Sequence, residues 1–231
     1  MSVDRADPAG PARTDWDAYY RHPARLAKVT RKVTERLLLQ MIGALHPSPQ
    51  RICELGGANS AFYGAITRRY PAAEYIAIDN NAVGLELLAR RAVPHARTRL
   101  LHCDLLEMDR SDLEADLVLS VGLIEHFSPE DTARVIQTHF ACAKTGALVL
   151  MTFPTPTRLY RVVRGAAERA GRWIFHDERP LDVEAVCREA ARYGVLERRF
   201  INWGALLTQG IVALRATRAG PLARALAPRF V

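Results

Sequence analysis

One stretch, Arg51-Ile52-Cys53-Glu54-Leu55-Gly56-Gly57-Ala58-Asn59-Ser60, constrains the fold of this chain more than any other. The short apolar run Ile52, Cys53 and Leu55 meets paired glycines, and residues 61–66 contain no breaker strong enough to prevent a helix. The pattern predicts a buried strand, a tight turn and a helix. In a parallel α/β sheet such a turn lies at the carboxyl end of the first strand, where glycine lets the backbone approach a ligand. Glu54 sharpens the reading, because a purely structural buried strand would carry another apolar side chain there.

The stretch resembles motif I of the class I S-adenosylmethionine (SAM) dependent methyltransferases, E/D-x-G-x-G-x-G, with Glu54, Gly56, Ala58 and Ser60 on the four marked positions. Two glycines are replaced by small residues, which keep close approach but take positive φ less readily. The rival fingerprint G-x-G-x-x-G for NAD would fall on Gly56, Ala58 and Ala61, lacking two glycines and leaving Glu54 unexplained. The resemblance implies an α/β fold, a Rossmann-like seven-stranded, mostly parallel sheet with helices on both faces and an antiparallel last strand. It also implies SAM as cofactor, with Glu54, Gly56, Gly57, Ala58, Asn59 and Ser60 around it.

Further acidic residues follow at strand ends. Tyr75-Ile76-Ala77-Ile78-Asp79 reads as a second strand, its carboxylate twenty-five residues after Glu54. That spacing suits the acidic residue that accepts two ribose hydroxyls, so Asp79, followed by Asn80, is the strongest single assignment. The alternative is a helix cap over residues 80–92. A third strand over residues 98–103 ends at Asp104; by the resemblance Asp104 accepts from the adenine amine and the Leu105 N–H reaches the ring. Residues 116–121 form a fourth strand, and with Glu125-His126 they resemble the family's D-x-V-x-S-x-x-x-x-E-H pattern, which places Ser120 near the cofactor. Ser128-Pro129 opens a helix, and residues 147–153 are a fifth strand.

The chain of 231 residues, 49% of them hydrophobic, suits one domain. The expected organisation is a disordered tail at 1–14, a helical cap at 15–50, a SAM-binding core at 51–216 with a cap insertion at 154–180, and a basic tail at 217–231. No apolar run reaches a membrane span and the start has no signal-peptide pattern, so a cytoplasmic location is expected. The four scattered cysteines form no C-x-x-C pair, and no metal site is expected. Charge is uneven: residues 51–153 carry net −3, residues 1–50 net +3 and residues 154–231 net +7. A basic flank attracts an anionic acceptor, nucleic acid or a membrane surface, although a solvated arginine-rich surface explains it equally.

Flanking segments supply the acceptor-side candidates. In the resembled family a short aromatic element before the core closes over the cofactor, which brings in Tyr19 and Tyr20; packing on the next helix is the alternative. The insertion carries an apolar stripe with arginines on its other face, including Arg161 and Arg164, and is followed by His176. It suits a lid, a peripheral membrane contact or an ordinary packed helix. His126 is the best-typed general base. Nucleic acid is disfavoured as substrate: the fourth strand ends in Ser120-Val121-Gly122-Leu123 rather than [ND]-P-P-[YF], no cysteine follows a proline, and the three lysines do not assemble a Lys-Asp-Lys-Glu set. The reading is therefore a SAM-dependent methyltransferase acting on an O or N atom of a small-molecule acceptor, anionic and lipid-like ones included. A nicotinamide-dependent oxidoreductase, or a non-catalytic lipid- or RNA-binding protein with a decayed SAM site, are the alternatives.

Overall fold

The computed structural model of the chain describes residues 14–21, 27–94, 96–108, 113–204 and 207–217. The expected terminal tails fall outside these residues, except for Thr14 and Thr217, as does the expected helix start at residue 23. Five strands run parallel: β1 (Arg51–Leu55), β2 (Glu74–Asp79), β3 (Arg97–His102), β4 (Ala115–Val121) and β5 (Ala143–Pro154). With β6 (Gly194–Asn202) and β7 (Gln209–Ala216) they form one sheet in the order β3-β2-β1-β4-β5-β7-β6. β7 lies antiparallel to both β5 and β6, so the seventh strand alone reverses direction. This is the architecture that the sequence predicts.

Side chains of period two divide each buried strand between two cores. Cys53, Leu55 and Val118 pack with residues of α5 (Pro129–Ala141) and α7 (Val183–Ala190). Ile52, Tyr75 and Leu119 pack with α2 (Ala27–Leu45), α3 (Tyr63–Arg69) and α4 (Ala82–Arg90) on the other face. Two further helices, α1 (Trp16–Arg21) and α6 (Arg158–Arg169), lie outside this sandwich. Helix starts are set by capping: Asn81 Oδ1 accepts from Gly84 N at 2.6 Å, Ser128 Oγ from Asp131 N at 3.1 Å, and Asp182 Oδ1 from Ala185 N at 2.9 Å. α4 thus begins after its cap, two residues later than the apolar pattern alone predicts.

Register brings the strand ends level. Leu55 stands opposite Ile78 on one side and Ser120 on the other, so the turn after β1 emerges between the ends of β2 and β4. Gly57 is pressed into that gap: a Cβ there would stand 2.9 Å from Ala77 Cβ and 3.1 Å from the Glu54 carbonyl oxygen. Gly57→Val is expected to cost about 2 kcal/mol or more of stability through overpacking, which the midpoint of urea unfolding will show; an unchanged midpoint contradicts the tight fit.

Candidate functional site

The turn after β1 is held almost wholly by buried partners. Gly56 N and Gly57 N donate to the Ile78 carbonyl at 2.9 and 3.2 Å, and Asn59 N donates to the Gly84 carbonyl at 2.9 Å. Positive φ falls on Gly56 (70°) and Asn59 (44°), not on Ala58 or Ser60. The two positions where the motif lacks glycine therefore do not need it, and Asn is among the residues that best tolerate the left-handed region. A Cβ on Gly56 would meet Leu123 Cδ1 at 2.7 Å.

Two carboxyls fix this loop from below. Asp79 accepts from Ala58 N and Asn81 N, each at 2.9 Å. Glu54, 2% exposed, accepts from Ser60 Oγ at 2.8 Å and from the Tyr75 hydroxyl. Burial raises both acids, Glu54 to about 8, against the pull of its Ser60 hydrogen bond and the Arg91 charge. Arg91 itself donates to the Ser60 carbonyl.

Between these strand ends lies a narrow cleft lined by Gly56, Asp79, Asn80, Asp104, Leu105, Leu123 and Phe127. Its chemistry fits an adenosine-bearing cofactor. Asp79, which also feels the Asn80 backbone N–H, keeps remaining lone-pair capacity for a hydroxyl donor. Leu105, Leu123 and Phe127 offer apolar surface to a planar ring, and Asp104, exposed with Oδ1 on Leu106 N at 2.8 Å, stands at the rim as acceptor. α1 closes over the turn: Asn59 Nδ2 donates to the Tyr20 carbonyl at 3.0 Å and Asn81 Nδ2 to Asp17 Oδ1 at 2.7 Å. The Tyr20 ring occupies the space that Gly84 leaves free, its Cδ2 2.8 Å from where a Cβ would be. Burial, then the nearby Asp79 charge, push its hydroxyl pKa up.

Beside the cleft, after β4, a single 3₁₀ turn (Ile124–His126) presents His126. His126 Nδ1 lies 3.2 Å from Asp177 Oδ1, which the Thr14 hydroxyl also contacts. Burial would raise the Asp177 carboxyl, but Thr14 and His126 together hold it below its ordinary value. Burial lowers His126, Asp177 opposing, so the ring is neutral at neutral pH. Trp16 packs edge-on against the His126 ring at 4.8 Å between centroids, and Phe175 lies 6.0 Å from His126 and 5.2 Å from Tyr19. Glu125, 1% exposed, leaves its Oε2 without a partner, and burial raises its pKa well above the carboxylate range. Glu125, His126 and Glu178 offer three ligand atoms within 4.8 Å of one another. Glu178, however, is already bound by the Tyr160 hydroxyl and lies 3.7 Å from Arg164 Nη1, a poor setting for a cation.

Residues 52–146 match the methyltransferase domain family. That stretch is a class I SAM-dependent methyltransferase domain. Its cofactor is SAM, and the nicotinamide alternative falls with that match. Among curated proteins no sequence relative matches. The fold of the methyltransferase is shared by solved structures of low identity. The N-methyltransferase NodS from Bradyrhizobium japonicum WM9, in complex with S-adenosylhomocysteine, aligns with a TM-score of 0.64 at 13% identity over 87% of this chain and 93% of its own. Magnesium protoporphyrin IX methyltransferase (ChlM) from Synechocystis PCC 6803, with bound S-adenosylhomocysteine, gives 0.68 at 12% identity over 87% and 94%. An O-methyltransferase family protein from Burkholderia thailandensis gives 0.63 at 16% over 90% and 65%.

Not every expected site residue of the methyltransferase reaches the cleft. Ser120 is fully buried and bonds His139 Nε2 at 2.8 Å, because the alternation of β4 turns it towards α5. Burial pushes that histidine down to about 4, so it serves as a neutral core partner. Arg164 is spent on Glu168 at 2.8 Å, the Glu178 carbonyl at 3.0 Å and the Trp173 face at 4.9 Å. Arg161 and His176 are exposed, with Arg161 Nε on the Pro156 carbonyl at 3.1 Å. None of the cleft-lining residues comes from the 154–180 insertion; the cap over the turn is α1. The sequence singles out Tyr19, Tyr20 and His176 but not their neighbours Trp16, Phe175 and Asp177, whose signal was a density of aromatic and charged residues on either side of the core.

Two measurements test this arrangement. Asp79→Asn leaves one side-chain N–H facing a backbone donor, and S-adenosylhomocysteine binding by calorimetry is expected to weaken roughly ten- to a hundredfold; unchanged affinity removes Asp79 from the site. Glu54 is raised from 4.5 to about 8, so the folded form resists its ionisation more than the unfolded form does. The stability linked to that proton is complete below pH about 4.5 and lost as pH rises to about 8. Glu54→Gln is expected to flatten this decline in chemical denaturation across the range; an equal slope in both proteins contradicts it.

Proposed function

We propose that the methyltransferase acts on a planar, hydroxyl-bearing small molecule, with His126 as general base. The observation that carries this reading is the His126–Asp177 pair set in an aromatic wall beside the cofactor cleft. The cofactor brings an electrophilic methyl group on a positively charged sulfur, so the protein has chiefly to align the acceptor and exclude water.

Each side chain then has a defined task. Trp16, Tyr19 and Phe175 offer faces and edges against which a flat acceptor stacks. Nδ1 of His126 donates to Asp177, which fixes the tautomer and leaves Nε2 to take the acceptor's hydroxyl proton. Glu125, whose carboxyl burial raises well above its ordinary range, lies 3.9 Å from Nε2. The proposed cofactor contacts are Gly56 to Ser60, Asp79, Asn80, Asp104 and Leu105, with Glu54 acting beneath the turn. Relatives in fold are named for both N- and O-transfer, so the preference for oxygen rests on the base and not on them.

A panel of phenols, alcohols and amines assayed with methyl-labelled SAM is expected to show transfer to phenolic oxygen. With the best acceptor, His126→Ala should lower kcat roughly a hundredfold while S-adenosylhomocysteine affinity stays unchanged. Because burial holds His126 below 6.5, the acid limb of the kcat profile should have its midpoint below that pH. Asp177 raises the His126 pKa, so Asp177→Asn should move the midpoint still lower. A profile flat to low pH in the wild type, or full activity in His126→Ala, overturns the assignment of the base.

A further inference from the structure

The insertion contains a helix whose apolar side is left half uncovered. α6 buries Tyr160 alone, and that edge is pinned by the Tyr160 hydroxyl on Glu178 and by Arg164 on the Glu178 carbonyl. Around the helix from there, Leu159 is 37% exposed and Val162 69% exposed, with exposed Ala166 and Ala170 on the same stripe and Ile174, 41% exposed, just beyond. Leu159, Val162 and Ile174 are three of only six large hydrophobic residues exposed among the described residues. At helical spacing, Arg158, Arg161 and Arg169 form the adjoining row, all exposed, and Arg172 continues it.

We infer that α6 is an interfacial helix that docks the enzyme on an anionic lipid bilayer, Leu159, Val162 and Ile174 entering the headgroup boundary while the arginines bind lipid phosphates. Charge complementarity selects this occupant. Arginine stems follow apolar surface while their heads reach charged oxygens, so a row of arginines beside an apolar row matches a layer with phosphate above and hydrocarbon below. A second copy of the chain, packed antiparallel on this face across a two-fold axis, would set arginine rows side by side. Nucleic acid would satisfy the arginines and leave the apolar row in water. The helix lies on the bilayer and does not cross it, and among the described residues no helix is long and apolar enough to span one. α6 follows β5 at the same sheet edge as the cleft, so docking brings the acceptor side towards the lipid surface.

Flotation of the full chain with vesicles of phosphatidylcholine, with and without phosphatidylglycerol, tests this directly. Binding is expected only with phosphatidylglycerol and is expected to fall as salt rises. Arg158→Ser with Arg169→Ser should weaken it roughly tenfold or more, and Val162→Glu should abolish it while S-adenosylhomocysteine affinity is kept. No flotation at either composition, or flotation unaffected by Val162→Glu, overturns the inference. So does a solution dimer that Val162→Glu dissociates, since that would make the stripe a contact between copies.

Discussion

The Asp79 carboxylate bound to the backbone of Ala58 is the contact on which the cofactor half of the structure depends. It joins the end of β2 to the turn after β1, at a point where Ile78 already receives the N–H groups of Gly56 and Gly57. Its other oxygen holds Asn81, and Asn81 caps α4 and reaches Asp17 on α1. One buried acid therefore sets the turn, the start of a helix and, through Asn81, the seat of the closing α1 element. Removing it disturbs all three, because a buried backbone donor left unmatched costs more than the bond itself contributes.

Charge is sorted by depth as well as along the chain. The core that carries net −3 keeps Glu54, Asp79 and Glu125 inside the carboxyl edge of the sheet, where burial raises all three. The arginines of the basic C-terminal part lie mainly outward, on α6 and on β6, where Arg199 meets Glu184 and Arg215 of β7 meets Glu197. Opposite signs thus seldom meet in the interior. Arg164, 3.7 Å from Glu178, is the main exception, while exposed Arg91 over the first turn reaches the Ser60 carbonyl and feels the Glu54 charge.

What could be read from the sequence followed from the period of the strands and from their ends. Gly56, Asp79 and Asp104 stand at the ends of parallel strands, and register alone brings them to one edge. Ser120 stands at a strand end too, but the same period of two turns it into the opposite core, which a motif match does not record. Positive φ at Asn59 was hidden by the expectation of glycine two residues apart. Arg164 seemed available because a helical wheel gives its face but not Glu178, which returns from the following loop to claim it. The His126–Asp177 pair spans 51 residues between elements with no common periodicity, so no local pattern could announce it.

The division between the two halves of the site explains why family membership names the donor and leaves the acceptor open. Every cleft-lining residue falls within the matched span 52–146. The residues that face the other side, Trp16, Tyr19, Phe175 and Asp177, all fall outside it. Cofactor recognition rests on strand ends, whose positions the sheet fixes through backbone hydrogen bonds that tolerate few changes. The proposed acceptor side rests on a short helix before the core and a loop after β5, segments that reach the sheet edge without belonging to it and can change without unmaking it. His126 sits at the join: its backbone belongs to the turn after β4, while its hydrogen-bond partner and its aromatic neighbours belong to the flanks. As the proposed proton acceptor, His126 is thus positioned by the strand scaffold and tuned by the flanking segments, which lets one fold keep its methyl donor while its acceptors differ.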